Sequence, residues 1–122
     1  MAEDRLQRRM AAILAADVVG YSRLMGKDEE GTLARLKAYR GLIDGLISHH
    51  AGRIFGSAGD SVLAEFASPV EAVRCATEIQ LEIYKRNLGL PEPDRMRFRI
   101  GVNLGDIIVD GSNLMGDGVN VA

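Results

Sequence analysis

"ILAADVVGYSRLM", Ile13 to Met25, decides how the chain is read. Ile13, Leu14, Ala15, Ala16, Val18 and Val19 form a nearly unbroken apolar run, the pattern of a strand covered on both faces. One carboxylate, Asp17, interrupts it. An ionised carboxylate without a partner in apolar surroundings costs several kcal/mol. Asp17 therefore needs a compensating cation, and the question is which one.

Working outward, residues 11–19 are expected as the first strand, and residues 1–10 as a charged, frayed or helical lead-in. Gly20, Tyr21 and Ser22 open a loop. A helix is expected from Asp28 to His50, with Leu33, Leu36, Ile43, Leu46 and Ile47 at helical spacing and Glu29 and Glu30 at its positive end. Gly41 and Gly45 each cost about 1 kcal/mol there relative to Ala; they are either a tolerated cost or points of close packing. Gly52 ends the helix. Arg53–Ser57 and Ser61–Ala67 read as two strands around a hairpin turn at Ala58–Asp60.

"SPVE" carries the sharpest local signal. Ser68 caps, Pro69 takes the first helical position, and Glu71 completes a capping box. That helix reaches Leu88, with Val73, Ala76, Ile79 and Ile83 on one face, before Gly89, Pro91 and Pro93 stop it. "MRFRIGVNL" alternates as a half-buried strand, "DIIVD" reads as another short one, and "VNVA" looks like the opening of a helix. The order β-α-β-β-α-β implies an α+β fold: a ferredoxin-like antiparallel sheet with both helices on one face.

Bulk numbers bound the function. The 122 residues suit one domain, with 47% hydrophobic and 26% charged residues. A net charge of −2 offers no basic face for nucleic acid or an anionic membrane. No apolar run approaches the roughly 20 residues of a membrane span. The start lacks a signal-peptide core, and the single Cys75 forms no internal disulfide, so a cytoplasmic location is expected.

In this topology the first and second strands run parallel with the third between them. Asp17 and Asp60 then reach the same end of the sheet. Two carboxylates at one edge repel unless a cation joins them. Few oxygen ligands, with room for phosphate and water, suit Mg²⁺ or Mn²⁺. The following loop, Gly20, Tyr21 and Ser22, offers backbone N–H groups to phosphate. An Asp at a strand end also serves as an ordinary turn or cap residue, and "AGDS" alone favours that reading.

Together, "LAADVVGYSRLM", "GRIFGSAGDSVLAEF" and "MGDGVNVA", in this order, resemble the catalytic domain of class III adenylate/guanylate cyclases of bacterial type. The resemblance runs from about residue 9 to the end and makes residues 11–122 the N-terminal part of such a domain. It implies conversion of a nucleoside triphosphate, ATP before GTP, to its 3′,5′-cyclic nucleotide and pyrophosphate. By the same resemblance, Asp17, Asp60 and the Val18 carbonyl hold two Mg²⁺ or Mn²⁺ ions. Asn120 orients the ribose from the partner chain of a homodimer. The family's base-reading lysine falls on Gly56 and its base-reading acid on Asn113, so these nucleotide-binding positions depart from the pattern. Its transition-state arginine falls four residues after Asn120, past Ala122, implying a domain truncated at its C-terminal end.

The rival readings are a cyclase-like regulatory or dimerisation module without activity, and a diguanylate-type cyclase. The absence of a Gly-Gly-Asp/Glu-Glu-Phe hairpin speaks against the latter. His49 and His50 suit a helix end, Cys75 a core, Tyr21 either packing or nucleotide, and Asp106 and Asp117 turns. Arg97 and Arg99 are expected on a solvated strand face.

Overall fold

A central strand paired on both edges, with one face under the helices and Ala11 and Ile13 buried on the other, accounts for the apolar run before Asp17. In the computed structural model, which describes the backbone of residues 7–110 and 113–116 and the side chains of residues 9–106, β1 spans Gln7–Val18. It pairs antiparallel with β3 (Ser61–Phe66) on one side and β4 (Phe98–Asp110) on the other. β2 (Arg53–Ala58) adds outside β3, and β5 (Asn113–Gly116) outside β4, giving the order β2-β3-β1-β4-β5. β1 and β2 run parallel with β3 between them, as the ferredoxin-like reading requires.

Two long helices cover one face: α2 (Glu29–His49) and α3 (Pro69–Leu88). Alternation sends Ala12, Leu14, Ala16 and Val18 of β1 into the core beneath them, with Val62, Ala64 and Phe66 of β3. Ala11 and Ile13 point to the opposite face, where Phe55 packs on them. Asp28 caps α2 by accepting from the Gly31 N–H at 3.0 Å, and Ser68 caps α3 by accepting from Glu71 at 3.2 Å. Tyr39 of α2 donates to Asn87 of α3, which donates to the Met96 carbonyl at 2.9 Å, tying both helices to the approach to β4. Among the described residues no buried side-chain polar atom lacks a partner.

Several local expectations are corrected. Gln7–Met10, read as lead-in, is strand, because β4 extends far enough to pair with it: Gln7 faces Val109 and Met10 faces Asp106. β4 is one strand of 13 residues and not two, since its pairing to β1 continues through Gly105. A seven-residue helix, α1 (Tyr21–Lys27), replaces the expected loop; too short for an apolar period, it is anchored by Thr32, whose hydroxyl donates to the Leu24 carbonyl at 3.0 Å. Val73 is 55% exposed, and the buried stripe of α3 is Ala72, Cys75, Ile79 and Ile83. The small Ala72 and Cys75 let the helix lie close to the sheet, which turns the apolar face by one residue. Gly41 and Gly45 are exposed, with open space where a Cβ would stand, so they do not mediate close packing. The expected helix opening at 119–122 lies outside the described residues.

Candidate catalytic site

Asp17 sits at the C-terminal end of β1 on the face the helices leave open. Register places it directly across from Arg99 of β4. Arg99 Nε donates to Asp17 Oδ1 at 2.9 Å and Arg99 Nη2 to Oδ2 at 3.2 Å, a two-pronged guanidinium–carboxylate pair. Arg99, expected as a solvated side chain, is therefore the cation that compensates Asp17 here. The Asp17 hydrogen bond and charge, and then the charge of Asp60, hold the Arg99 guanidinium above its ordinary pKa.

Asp60 arrives from the β2–β3 hairpin. Gly59 takes φ +56°, the left-handed region that glycine enters without cost, and the chain reverses there. Ser61 Oγ donates to the Ala58 carbonyl at 2.8 Å and fixes the turn. Asp60 Oδ2 then accepts the Val18 N–H at 2.9 Å. Asp17, Val18 and Asp60 are thus brought to one end of the sheet, beside a cavity of about 390 Å³ lined by Asp17, Ser61, Leu63 and Arg99. Among the described residues no group of three or more His, Cys, Asp or Glu side chains gathers as a metal cluster.

The other expected positions fall as follows. Gly20 is the left-handed residue before α1, at φ +68°, and Tyr21 and Ser22 form the first turn of that helix. Gly56 lies beside a register shift in β2, half-buried against Leu63 of β3. Asn113 begins β5 opposite Asp110, at the Gln7 end of β1 and so at the other end of the sheet from Asp17. Its side chain and Asn120 lie outside the described residues. On the open face, the buried Glu65 accepts from Arg9 at 2.7 Å and Arg53 at 3.0 Å, a triad no local pattern announces. The signal for Arg99 was its alternation with Phe98 and Ile100; only the β1–β4 register turns that into a contact with Asp17.

Three comparisons bear on what this arrangement belongs to. The chain is 51% identical over 123 residues to a Rhizobium meliloti (strain 1021) protein provisionally named adenylate cyclase 3, matching all of this chain and 21% of that protein. Its fold matches the crystal structure of an adenylate/guanylate cyclase/hydrolase from Silicibacter pomeroyi with TM-score 0.85 and 45% identity, over 94% of this chain and 67% of that one. It also matches the guanylyl cyclase Cya2 with TM-score 0.73 and 26% identity, over 91% of this chain and 64% of that one. No family model matches. The chain therefore spans about a fifth of the length of the curated relative. Among the described residues no helix is long and apolar enough to cross a membrane. With two thirds of the Silicibacter chain matched at 45% identity on the same fold, the chain belongs to the class III adenylate/guanylate cyclase family.

Proposed function

We propose that this chain supplies the catalytic face of a nucleotide cyclase, converting ATP, less readily GTP, to the 3′,5′-cyclic nucleotide and pyrophosphate. The observation that carries this reading is the meeting of Asp17, Val18 and Asp60 at one sheet end beside an open cavity. The donor set fits a hard divalent cation: two carboxylates and a backbone carbonyl, all oxygen, with both oxygens of Asp17 already drawn to a cationic group. Asp17, Asp60 and the Val18 carbonyl would hold two Mg²⁺ or Mn²⁺ ions, which when bound supply a more acidic 3′-hydroxyl and charge neutralisation on the phosphates. Arg99 is the positive side chain paired with Asp17. Its planar fork suits phosphate as well as carboxylate, so it would exchange Asp17 for phosphate oxygens. Gly20 and the first helical residues Tyr21 and Ser22 follow directly from the Asp17 end of β1.

Among the described positions, one chain holds Asn113 far from the two aspartates. At about 3.3 Å per residue, β1 from Gln7 to Asp17 spans roughly 33 Å. Asn113 lies near the first of these ends and the two aspartates at the other. That separation supports an antiparallel pairing of two chains, a homodimer with two equivalent sites in which one nucleotide meets the aspartates of one chain and Asn113 of the other. Asn120 would orient the ribose from the partner subunit. Gly56 and Asn113 replace fixed charges at the base edge, and an amide both donates and accepts, so discrimination between adenine and guanine is shallow. A cytoplasmic domain fits a nucleotide substrate and an unoxidised, buried thiol.

The second reading is a cyclase-like module without activity. It is favoured by Gly56 and Asn113, which stand where the family's base-reading lysine and acidic residue fall. Turnover separates the two. The full-length protein given Mn²⁺ with ATP or GTP should release cyclic nucleotide and pyrophosphate in equal amounts, with kcat/KM for the two purines within about tenfold. Absence of cyclic product with either nucleotide would establish the inactive module.

A further inference from the structure

A second cavity, of about 380 Å³, lies between α1 and the segment that leads into β4. Arg23 and Lys27 of α1 form one wall; Arg95, Arg97 and Glu92 form the other. Four cations around one carboxylate is a local excess in a chain whose net charge is −2. Such a concentration of like charge is unfavourable by itself and is relieved by an anion.

The far wall is built rather than loose. Arg95 Nε donates to the Leu90 carbonyl at 3.0 Å. Arg95 Nη1 and Arg97 Nη2 then donate to the two different oxygens of Glu92, each at 3.1 Å. Glu92 itself stands in a 3-10 turn, Glu92–Asp94, between Pro91 and Pro93, whose rings restrict the backbone. On the near wall Arg23 and Lys27 are one helical turn apart, exposed, and without an ion-pair partner among the described residues. Two guanidinium forks already grip a pair of oxygens, and two more cations face them across the cavity.

We propose that this cavity binds a small, multiply charged phosphate anion of the pyrophosphate class, bridging α1 and the approach to β4. A phosphate presents the same oxygen pairs to the arginine forks as Glu92 does, with more charge and more acceptors. The cavity is concave and small, and the basic residues form no stripe along the surface, so a compact anion fits where a nucleic acid backbone does not. The site does not depend on the cyclase reading. The anion is either free pyrophosphate or the phosphate chain of a nucleotide, which share the recognised chemistry.

Calorimetric titration of the metal-free protein in EDTA with sodium pyrophosphate tests it. One saturable site is expected, weakening several-fold between low and moderate salt. Arg97→Gln and Lys27→Gln, both at exposed positions, should each weaken binding about three- to tenfold with unchanged melting temperatures. Glu92→Gln should strengthen it, because the competing carboxylate is gone, whereas Asp60→Asn should leave it unchanged. A parallel titration with ATP in EDTA identifies the source: equal affinity assigns free pyrophosphate, and affinity more than about tenfold tighter assigns the nucleotide chain. The proposal is overturned by no saturable binding at millimolar pyrophosphate, by binding that Arg97→Gln and Lys27→Gln leave intact, or by binding that needs a divalent ion and vanishes in Asp60→Asn.

Discussion

Ala51 holds φ +62° at the end of α2, in the left-handed region where a Cβ is strained and glycine is usual. The glycine stands one residue later. Gly52 donates its N–H to the Ile47 carbonyl at 2.8 Å, and a Cβ there would come within 2.5 Å of the Phe66 ring and 2.9 Å of the Ile47 side chain. Gly52 is thus required for close approach, and the strained turn falls to Ala51. Ala51→Gly should raise stability by about 0.5–1 kcal/mol, while Gly52→Ala should lower it by more. Thermal melts of both variants check this; a destabilised Ala51→Gly would contradict it. The sequence marks the helix end at Gly52, but which residue turns left-handed depends on Phe66, a contact no local pattern contains. Asp17 shows the same division: its oddity in an apolar run is legible, and its partner Arg99 is not, because 82 residues separate them.

Among elements, helix boundaries marked by caps were the most legible. Ser68 and Pro69 fix the start of α3 and Gly89 its end, while the Glu71 carboxylate binds His50 and Arg74 and does not close the expected capping box. The buried stripe was less so, since two overlapping periods run along α3 and packing against the sheet selects one. In α2, Gly41 and Gly45 have exposed, open surroundings. Replacing either by Ala should stabilise the protein by about 1 kcal/mol, read from denaturant midpoints. An unchanged midpoint would mean the helix does not need these residues to be rigid.

The contact between α2 and α3 carries a pH dependence. His50 Nδ1 lies 2.8 Å from Glu71 and Nε2 lies 2.6 Å from Glu78. Only the doubly protonated ring donates at both nitrogens. The Glu71 hydrogen bond first, then that of Glu78, raise the His50 pKa above its ordinary 6.5, and His50 in turn lowers Glu71. Arg74 also binds Glu71, at 3.0 Å, and His49 packs edge-on against His50. Cys75, in the same region, is pushed up to about 11 by burial and stays neutral across the relevant range. A raised folded-state pKa means that His50's contribution is complete below 6.5 and is lost as pH rises through the folded value. The melting temperature should therefore fall on going up from pH 6.5, and His50→Gln should flatten that slope. Identical slopes in parent and variant would remove His50 as the cause.

At the scale of the molecule, the alternation of strand and helix signals was enough for the α+β order and for parallel β1 and β2, hence for placing Asp17 and Asp60 at one end. The register of β1 against β4 was not, because periodicity says which face a residue takes and not which residue it meets. β5, the extended start of β1 and the extended end of β4 escaped for the same reason: each exists through its partner strand. Residue, element and register meet in one central claim, that Asp17 and Asp60 act as a single site in a nucleotide cyclase. The most direct measurement is a double-mutant cycle on turnover of Mn²⁺–ATP by the full-length protein, with Asp17→Asn, Asp60→Asn and both together. Each single change should cut kcat/KM by about 10²-fold or more, and the double variant should be no worse than the worse single, because residues of one unit are not additive. Independent, multiplying losses, or a single variant with parental turnover, would contradict the account.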